Sequence, residues 1–517
     1  MRRHNSILLQ IRPAINTGTL FPEQLHLNGK RRCDLFRRIW ILLLLFLVLT
    51  ASYTQVYADP QPQHGDSEDF KLQIEQLVRT NMAKGKIPGI YLLVVKNGQT
   101  TMSKGFGYSD KKAKLRVTAE TEFQLGSLSK AFTGLAVTHL AEEHQLELEK
   151  GVSSYLPWFQ VRYRQAPAEI TLHQLMEQTS GLGTETFVGI SASSDKDALE
   201  RGVRTLANAS LSSAPGEKYA YSNVNFNILG LLIEKVSGQS YSNYMNEHIF
   251  KPLGLSKTSV REERLPQNLA TGYKVSFFGA RPYSVPFSLS QAPSGSIITN
   301  GEDMTKWLRF NLGIDSVDGY KAVHPTDTTP FDYYGGWKLD AKSNQIQHEG
   351  NLENYSSFIV MDPKEKTGVV VLANLNSTYT TTIGEGIMSW LQGHLAESGN
   401  SDTYLLTDQI ASSIILIMSV LILVFLWLLW NTMMAIRSGR RTLRMRTPQV
   451  VLSILLLSVL AFLYVLTVQL PTFIYPNADW SFINDWMPNT TLYGVLVLLG
   501  FLTLLTIHAV ARLTFRK

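Results

Sequence analysis

Three long apolar blocks near the C-terminus limit most strongly what this chain can fold into. They cover residues 410–430, 450–470 and 492–510, and each is long enough to cross a bilayer as a helix. An earlier apolar stretch, residues 39–49, is too short to span comfortably. The sequence therefore predicts a membrane domain at residues 409–517, with a separate region before it.

The short apolar stretch is typical of a secretory signal. It follows the basic run "KRRCDLFRR" and precedes "VYADP", in which Val56 and Ala58 fit the small-residue pattern of signal peptidase. We predict a signal within residues 1–58, cleaved after Ala58. An uncleaved anchor is the alternative, and both export the region C-terminal to the stretch. Cys33 is the one cysteine, and it precedes the cleavage site, so a cleaved protein has neither disulfides nor a catalytic thiol.

Charge predicts the direction of the three blocks. The loop after the first block contains five arginines, whereas the loop "PTFIYPNADWSFINDWMPN" after the second contains two aspartates, several aromatics and no Lys or Arg. By the positive-inside rule, the arginine loop and the C-terminus are cytoplasmic, and residues 59–404 lie outside. We expect a multi-pass cell-membrane protein whose three helices contact lipid. The net charge of +6 reflects this topology and does not indicate a nucleic-acid partner.

Residues 70–396 are expected to form one globular domain between the linkers 59–69 and 397–408. A helical pattern over residues 70–85 precedes two β-rich runs around Asn97-Gly98, a strong hairpin signal. Strands dominate the end of the domain, and a last helix is expected over about 380–395. The pattern predicts an α/β domain of the α+β type, with one sheet built from both chain ends beside a helical region. The helices of that region are expected at residues 224–237, 241–249 and 301–312 and directly after Ser127.

The pair Ser127 and Lys130, spaced S-x-x-K, is a candidate nucleophile and base. The spacing alone is weak, since Ser109/Lys112 and Ser193/Lys196 repeat it in what read as polar loops. Ser127, however, lies where a β-rich run meets a helix, and a helix N-terminus stabilises negative charge. Lys130 returns to the same face one turn later, where burial would lower its pKa and let it accept the serine proton. The plainer interpretation is that Ser127 only caps the helix.

Two further motifs follow in order. Tyr221 and Asn223 precede an amphipathic helix; a tyrosine beside a lysine can act as base and acid, and Asn223 can bind a substrate amide, although it could also be a simple cap. His348 and Gly350 lie at the end of a probable strand, where glycine allows a substrate backbone to approach an edge strand closely. The N–H of Asn351 could pair with that of Ser127 as an oxyanion hole. Alone, His348 would more often be a loop residue.

Together, these motifs resemble the serine β-lactamase and penicillin-binding-protein superfamily in its class C-like branch. Supporting phrases include "FQLGSLSKAFTGL", "PGEKYAYSNVNFNILG" and "HEGNLENYSSFIVMDPKEKTGVVVLAN". The resemblance implies a β-lactamase-like sheet flanked by helices plus a helical subdomain, followed by the three transmembrane helices. It makes Ser127 the acylated nucleophile and Lys130 and Tyr221 its proton shuttle. It also implies substrate binding by four residues: Asn223, His348, Gly350 and Asn351. It implies no cofactor, and we find no metal-binding spacing.

Two positions depart from the family pattern. His348 stands where β-lactamases and carboxypeptidases have lysine, and a neutral imidazole gives up the cation that would hold a substrate carboxylate. This argues against a dedicated β-lactamase or D-Ala-D-Ala carboxypeptidase and suits an aminopeptidase, amidase or esterase. Gln178 stands where the family usually has histidine, and we interpret it as structural.

The layout of an exported domain followed by three spans resembles the membrane-bound, colibactin-maturing type of prodrug peptidase. That resemblance implies removal of an N-acyl-D-asparagine cap from an exported peptide–polyketide, a small acyl-peptide substrate. The alternatives are a cell-envelope D-aminopeptidase, penicillin-binding-protein-like peptidase or esterase. A β-lactam or peptidoglycan sensor is disfavoured, because the predicted cytoplasmic segments are short. The sequence does not indicate an oligomeric state.

Overall fold

The computed structural model of the protein describes residues 68–183, 193, 195–261, 265–286, 288–394, 402–474 and 478–516. The predicted signal and its cleavage site lie outside the described residues. So do most of the first predicted linker and residues 397–401 of the second.

One eight-stranded sheet organises the globular domain, and each of its neighbouring pairs is antiparallel. The strands are β1 Gly89–Lys96, β2 Gln99–Asp110, β3 Leu115–Arg116, β4 Tyr333–Tyr334, β5 Trp337–Asp340, β6 Gln345–Asn351, β7 Ser356–Asp362 and β8 Thr367–Ala373. Their spatial order is β4-β5-β6-β7-β8-β1-β2-β3, so the first strand pairs directly with the last. The prediction of one sheet built from both chain ends is confirmed.

Both faces of the sheet are covered, which explains why β1 reads as a continuous apolar run. Its residues alternate between two cores. Ile90, Leu92 and Val94 pack in the core that contains the first and last helices of the domain. Tyr91 and Leu93 pack in the larger core, with the helical region. The domain is thus a layer of helices on each side of a central sheet.

The helices of the domain agree with the predicted positions to within a few residues, apart from short ones that carry no periodic signal. Directly after α6, a π-helical turn covers Asn246–Phe250. The helices are α1 Glu68–Gly85, α2 Ser129–Glu142, α3 Leu172–Met176, α4 Ala198–Arg204, α5 Asn223–Ser237, α6 Tyr241–Met245, α7 Ala292–Gly295, α8 Gly301–Asn311 and α9 Tyr379–Leu391.

Smaller strand pairings were not predicted. Glu122–Gln124, Ile297–Asn300 and Ser259–Val260 form a three-stranded sheet beside the helical region. Tyr273–Ser276 and Gly279–Pro282 form a hairpin. Its turn residues Phe277 and Phe278 both have positive φ, at 47° and 62°, and are about half exposed.

Three helices are long and apolar enough to cross a membrane: α10 Thr403–Arg437, α11 Thr447–Ile474 and α13 Asn489–Thr514. The second predicted linker is wrong at its end, because residues 403–408 already belong to α10. Asp402 caps that helix by accepting a hydrogen bond from the N–H of Leu405 at 3.1 Å, and the same carboxylate accepts one from the Ser377 hydroxyl. The apolar helices therefore begin directly against the globular domain.

A buried carboxylate fastens the hairpin to the apolar helices. Asp408 of α10 is fully buried and accepts hydrogen bonds from the backbone N–H groups of Phe277 (2.9 Å) and Phe278 (2.7 Å). It also accepts from the hydroxyls of Thr490 of α13 (2.6 Å) and Ser412 (3.3 Å). Four donors satisfy this one carboxylate, and we call the group the Asp408 clasp.

A short helix that the sequence did not reveal, α12 Trp480–Trp486, lies between the second and third apolar helices. Asp479 caps it, accepting a hydrogen bond from the N–H of Phe482 at 2.8 Å. Lys274 of the hairpin donates to the backbone carbonyls of Asn484 and, at 2.8 Å, Asp485 at the end of α12. This is the arrangement expected for a cation near the negative end of a helix. It holds α12 against the globular domain.

Candidate active site

Ser127 lies in a tight turn between a strand and a helix, as the sequence predicts. The strand Glu122–Gln124 ends, a 3₁₀ turn covers Gly126–Leu128, and α2 begins at Ser129. Gly126 has φ +56°, and a Cβ built there would lie 2.8 Å from the backbone nitrogen of Asn351. Glycine is therefore required both by the backbone conformation and by the approach of β6.

Lys130 is brought against the serine hydroxyl, with Nζ 3.0 Å from Ser127 Oγ. Nζ also lies 2.7 Å from Asn223 Oδ1 and 2.8 Å from the carbonyl oxygen of Ser294. Both of the latter atoms are acceptors only. A neutral amine has two N–H donors, which these acceptors use, so its lone pair is left facing the serine hydroxyl. The geometry lets that hydroxyl donate to Lys130.

The surroundings of Lys130 favour the neutral amine. The residue is fully buried, and burial holds the pKa of its amine well below the usual value. The described oxygens within hydrogen-bonding distance are neutral. The more distant Glu349 acts to raise the pKa of the amine, but Lys338 acts against it and burial has the larger effect. A buried amine with a lowered pKa is a proton acceptor at neutral pH.

Close backbone packing fixes α2 in this position. The Gly335–Gly336 turn lies against the helix: a Cβ on Gly336 would be 2.4 Å from the nitrogen of Ala131. A Cβ on Gly134 would be 2.2 Å from the carbonyl oxygen of Gly335. Neither backbone can yield to a side chain, so these glycines set the depth at which Lys130 is buried.

Tyr221 reaches the same hydroxyl from the helical region. Its side chain hydrogen-bonds with Ser127, and its ring centroid lies 5.0 Å from Lys130 Nζ. Burial raises the pKa of the Tyr221 hydroxyl, although the hydrogen bond with Ser127 counteracts this. The phenol is therefore protonated at neutral pH and can donate to a leaving group.

Gln178 holds the segment that contains Tyr221, in agreement with its interpretation as structural. It is fully buried in the left-handed conformation, with φ 60°. Its backbone carbonyl accepts from the N–H of Ala220, and its Oε1 accepts from the N–H of Ser222, both at 2.9 Å. The two residues flanking Tyr221 are thus bound to one glutamine.

Asn223 is the first residue of α5 and lines the cavity beside Ser127. Its Oδ1 is engaged by Lys130, which leaves the amide N–H₂ available for a substrate oxygen. The structure therefore gives Asn223 a contact that the sequence did not predict.

His348 is buried on the tyrosine side of the site. Its side chain is only 1% exposed and does not line the cavity. It packs with its ring centroid 6.1 Å from that of Tyr221 and 5.9 Å from that of Tyr333. Its Nδ1 donates to the carbonyl of Glu349 at 2.6 Å, and burial lowers the pKa of the imidazole. His348 is thus neutral and supports the tyrosine side of the site, while Glu349 forms an ion pair with Lys338 at 2.6 Å.

Gly350 and Asn351 end strand β6 at the serine turn. A Cβ on Gly350 would lie 1.9 Å from the carbonyl oxygen of Leu125, so the glycine admits the protein's own backbone. Strand β5 pairs with residues 345–347 only, which leaves residues 348–351 paired on one side, to β7. The end of β6 is in this sense an edge, as predicted, and Asn351 lines the cavity.

A cavity of about 240 Å³ opens at Ser127. Its walls come from the serine turn, the start of α5, residues around α7, the end of β6 with the residues that follow it and, unexpectedly, α12. The residues that line it are Gln124, Ser127, Asn223, Arg261, Val285, Pro286, Ser288, Gln291, Ser294, Gly295, Ser296, Asn351, Leu352, Glu353, Phe482, Asp485 and Trp486.

The other serine–lysine pairs are not assembled in this way. Ser109 belongs to strand β2 and not to a loop, as the sequence had suggested, and its hydroxyl donates to the carbonyl of Arg116. Ser193 donates to Asp195 in a surface network with Arg201. Within the described ranges, no group of three or more His, Cys, Asp or Glu side chains could hold a metal ion.

Comparison with known proteins finds relatives that cover most of the chain. The family model "Beta-lactamase" matches residues 74–384. "Protein flp" of Staphylococcus aureus (strain COL) is 33% identical over 436 residues, covering 82% of this chain and 86% of that protein. "Teichoic acid D-alanine hydrolase" of Staphylococcus aureus is 29% identical over 276 residues, which are 53% of this chain and 64% of that protein.

Solved structures show the same fold. A penicillin-binding protein homologue from Pyrococcus abyssi has a TM-score of 0.54 at 25% identity, covering 66% of this chain and 81% of that one. A class C β-lactamase has a TM-score of 0.54 at 22% identity, covering 63% of this chain and all of that one. The β-lactamase-like fold predicted from the sequence is confirmed.

Proposed function

Because the chain belongs to the beta-lactamase family of serine hydrolases, we propose that it is a membrane-anchored hydrolase that removes D-aminoacyl groups from molecules of the cell envelope. The observation that carries this proposal is the contact of Lys130 Nζ with Ser127 Oγ at 3.0 Å, made by an amine whose pKa burial holds well below its usual value. The orientation predicted from charge puts this site outside the membrane.

In the proposed acylation step, Ser127 Oγ attacks the substrate carbonyl carbon while its proton passes to Lys130 Nζ. The oxygen–carbon bond forms, and negative charge develops on the carbonyl oxygen. We assign its stabilisation to the backbone N–H groups of Ser127 and Asn351, since β6 lies against the serine turn. Hydrogen bonds from positioned donors become stronger as negative charge develops on the oxygen, which lowers the barrier to acylation.

Collapse of the intermediate breaks the bond to the leaving group, which takes a proton through Tyr221. The phenol contacts Ser127 and lies close to Lys130, so the proton held by Lys130 can replace the one that Tyr221 gives up. Water then attacks the carbonyl carbon of the acyl-enzyme and gives a proton to the Lys130–Tyr221 pair. The bond between that carbon and Ser127 Oγ breaks, Oγ takes the proton, and the acid product leaves. Asn223 binds the acyl group through its free amide N–H₂.

The choice of a D-aminoacyl substrate rests on a relative. One matched protein is named a teichoic acid D-alanine hydrolase, and the neutral, buried His348 offers no fixed cation for a substrate carboxylate. Both favour an ester or amide without a free carboxylate near the reacting carbonyl. The leaving group would be an envelope alcohol or amine.

Removal of an N-acyl-D-asparagine cap from an exported prodrug is the second candidate. The loop between the last two apolar helices resembles that type in sequence, and α12 within this loop lines the cavity. An acyl chain held at the membrane could reach Ser127 beside that wall. The two candidate substrates differ at the α-nitrogen of the amino acid whose carbonyl is attacked. This nitrogen is a free ammonium in the first candidate and part of an amide in the second.

The test is product analysis by mass spectrometry on the full-length protein in lipid. The protein would be incubated with a mixture of D-alanyl esters, N-acyl-D-asparaginyl amides, their L-counterparts and D-Ala-D-Ala peptides. We expect release of D-alanine by the natural chain and by Ser193→Ala, which removes a surface serine of the same spacing, and none by Ser127→Ala.

Other products would change the assignment. Release of acyl-D-asparagine alone would establish the prodrug peptidase. Activity that survives in Ser127→Ala would remove this nucleophile from the proposal. An acyl-enzyme that forms on Ser127 and persists for hours would instead indicate a sensor.

A further inference from the structure

One wall of the catalytic cavity comes from outside the family domain. Phe482, Asp485 and Trp486 of α12 line the same space as Ser127. The family match ends at residue 384, and α12 lies between two of the apolar helices. The residues of this wall therefore belong to the membrane part of the chain.

Specific contacts fix α12 in this place. Lys274 donates to the carbonyls of its last turn, including that of Asp485 at 2.8 Å. The hydroxyl of Tyr283 donates to Asp485 Oδ1 at 3.1 Å. The side chain of Asp485 is thus oriented by a neighbour within the globular domain, and its second oxygen remains for another donor.

Acidic and basic side chains meet at this end of the cavity, and one carboxyl oxygen is left without a hydrogen-bond donor among the described residues. The charged lining residues are Arg261, Glu353 and Asp485. Arg261 donates to the carbonyl of Val285 at 2.7 Å and to Gln124 Oε1 at 3.3 Å. Glu353 Oε2, by contrast, is a buried atom without a hydrogen-bond partner in the described part of the chain. Burial and the charge of Asp485 raise the pKa of the Glu353 carboxyl, although Lys274 and Arg261 act in the opposite direction. The cavity therefore presents two acidic side chains, and a further cation beside them would favour the ionised form of Glu353.

Resting on the hydrolase function proposed above, we propose that α12 completes a subsite for the ammonium group of the aminoacyl substrate. Asp485 and Glu353 supply the counter-charge, and the ring of Trp486 supplies an aromatic face. A carboxylate and an indole ring together favour a compact cation, by charge-assisted hydrogen bonds and by cation–π attraction. The subsite makes Asp485 and Trp486 specificity-determining residues and selects a free amine over an N-acylated one.

The experiment compares two esters with the same leaving group, D-alanyl and N-acetyl-D-alanyl, on the full-length protein in lipid. We expect the natural chain to prefer the free amine. Asp485→Asn keeps the acceptor for Tyr283 but removes the charge. It should lower kcat/KM for the D-alanyl ester by about tenfold, the size of one good charged contact, and leave that for the N-acetyl ester within about twofold.

Trp486→Leu should shift the same ratio in the same direction, by a smaller factor. The matched control is Asp479→Asn, which removes an equal charge from the same helix but keeps its cap, because asparagine also caps helices. We expect it to leave the ratio of the two esters unchanged.

Each result bears on one part of the proposal. If Asp485→Asn lowers both esters equally, or if Asp479→Asn changes the ratio as much, the subsite is wrong although the hydrolase function stands. A natural chain that prefers the N-acetyl ester also overturns the subsite and favours the prodrug peptidase. Turnover of neither ester removes the proposed function and the subsite with it.

Discussion

Lys130 and Asp408 show two opposite uses of a fully buried ionisable side chain. Lys130 is surrounded by neutral oxygens, and burial lowers the pKa of its amine, so it can take up a proton. Asp408 accepts four hydrogen bonds from two backbone N–H groups and two hydroxyls, and these join the globular domain to the apolar helices. The hydrogen-bonding partners, and not burial alone, therefore decide whether a buried ionisable side chain takes part in catalysis or stabilises the structure.

The comparison has an energetic side. A buried ionisable group without an opposite charge costs free energy, which catalytic sites accept in return for reactivity. A carboxylate with its oxygens fully hydrogen-bonded recovers much of that cost. Lys130 should therefore matter for rate and little for stability, and Asp408 the reverse.

The largest effect is expected at Lys130. Lys130→Met removes the proton acceptor from a site whose shape it preserves, and we expect kcat/KM to fall by about a thousandfold or more, as for loss of a general base. The unfolding temperature should not decrease, since a desolvated amine is lost. Lys130→Arg is the control: a guanidinium stays protonated and cannot accept the serine proton, so this variant should be equally inactive. Substantial activity in Lys130→Arg would show that another group takes the serine proton.

An intermediate effect is expected at the Asp408 clasp. Asp408→Ala leaves the N–H groups of Phe277 and Phe278 and the hydroxyl of Thr490 without this acceptor, and we expect a loss of about 2–4 kcal/mol in the free energy of unfolding. Thermal unfolding of the purified protein measures this. Asp408→Asn retains one acceptor oxygen and should lose less. If Asp408→Ala unfolds at the temperature of the natural chain, the clasp does not hold the two parts together.

The smallest effect is expected at His348, where burial lowers the pKa of the imidazole. An unfolded histidine takes up a proton below about pH 6.5, whereas the folded one does not. The unfolded state then binds more protons, so stability falls as pH falls below that value, by at most about 1.4 kcal/mol per pH unit. His348→Gln should flatten this dependence between pH 6.5 and 5 in thermal unfolding. Equal slopes in both proteins would place the titration on other groups.

Local signals in the sequence predicted much of the fold. Asn97-Gly98 identified the first hairpin because those residues adopt positive φ at the turn, at 50° and 80°. The position of Ser127 between a strand and a helix was predicted because a β-rich run meets a helical pattern there. The apolar helices followed from composition and length alone. The roles of Ser127, Lys130 and Tyr221 remain predictions that the geometry supports.

The features that the sequence did not reveal depend on contacts between distant segments. The carbonyl of Ser294 accepts from Lys130 across 164 positions, and a backbone carbonyl leaves no trace in residue type. Phe277 meets Asp408 across 131 positions. α12 has seven residues, too few for a periodic pattern, and its place in the cavity depends on Lys274. His348 was predicted to bind substrate. Its burial could not be predicted, because it depends on residues that only the assembled sheet brings around it.

Because the first strand pairs with the last, the central sheet can be completed only late in synthesis. Ile90 of β1 pairs with Ala373 of β8, so β1 lacks that partner until nearly all of the domain has been synthesised. At about 5–20 residues per second, that wait lasts on the order of 15–60 s. Asn351, which abuts the serine turn, also arrives late in that interval. Ser127 and Lys130 are therefore synthesised long before the residues that complete the site, and the enzyme is inactive until the sheet has formed.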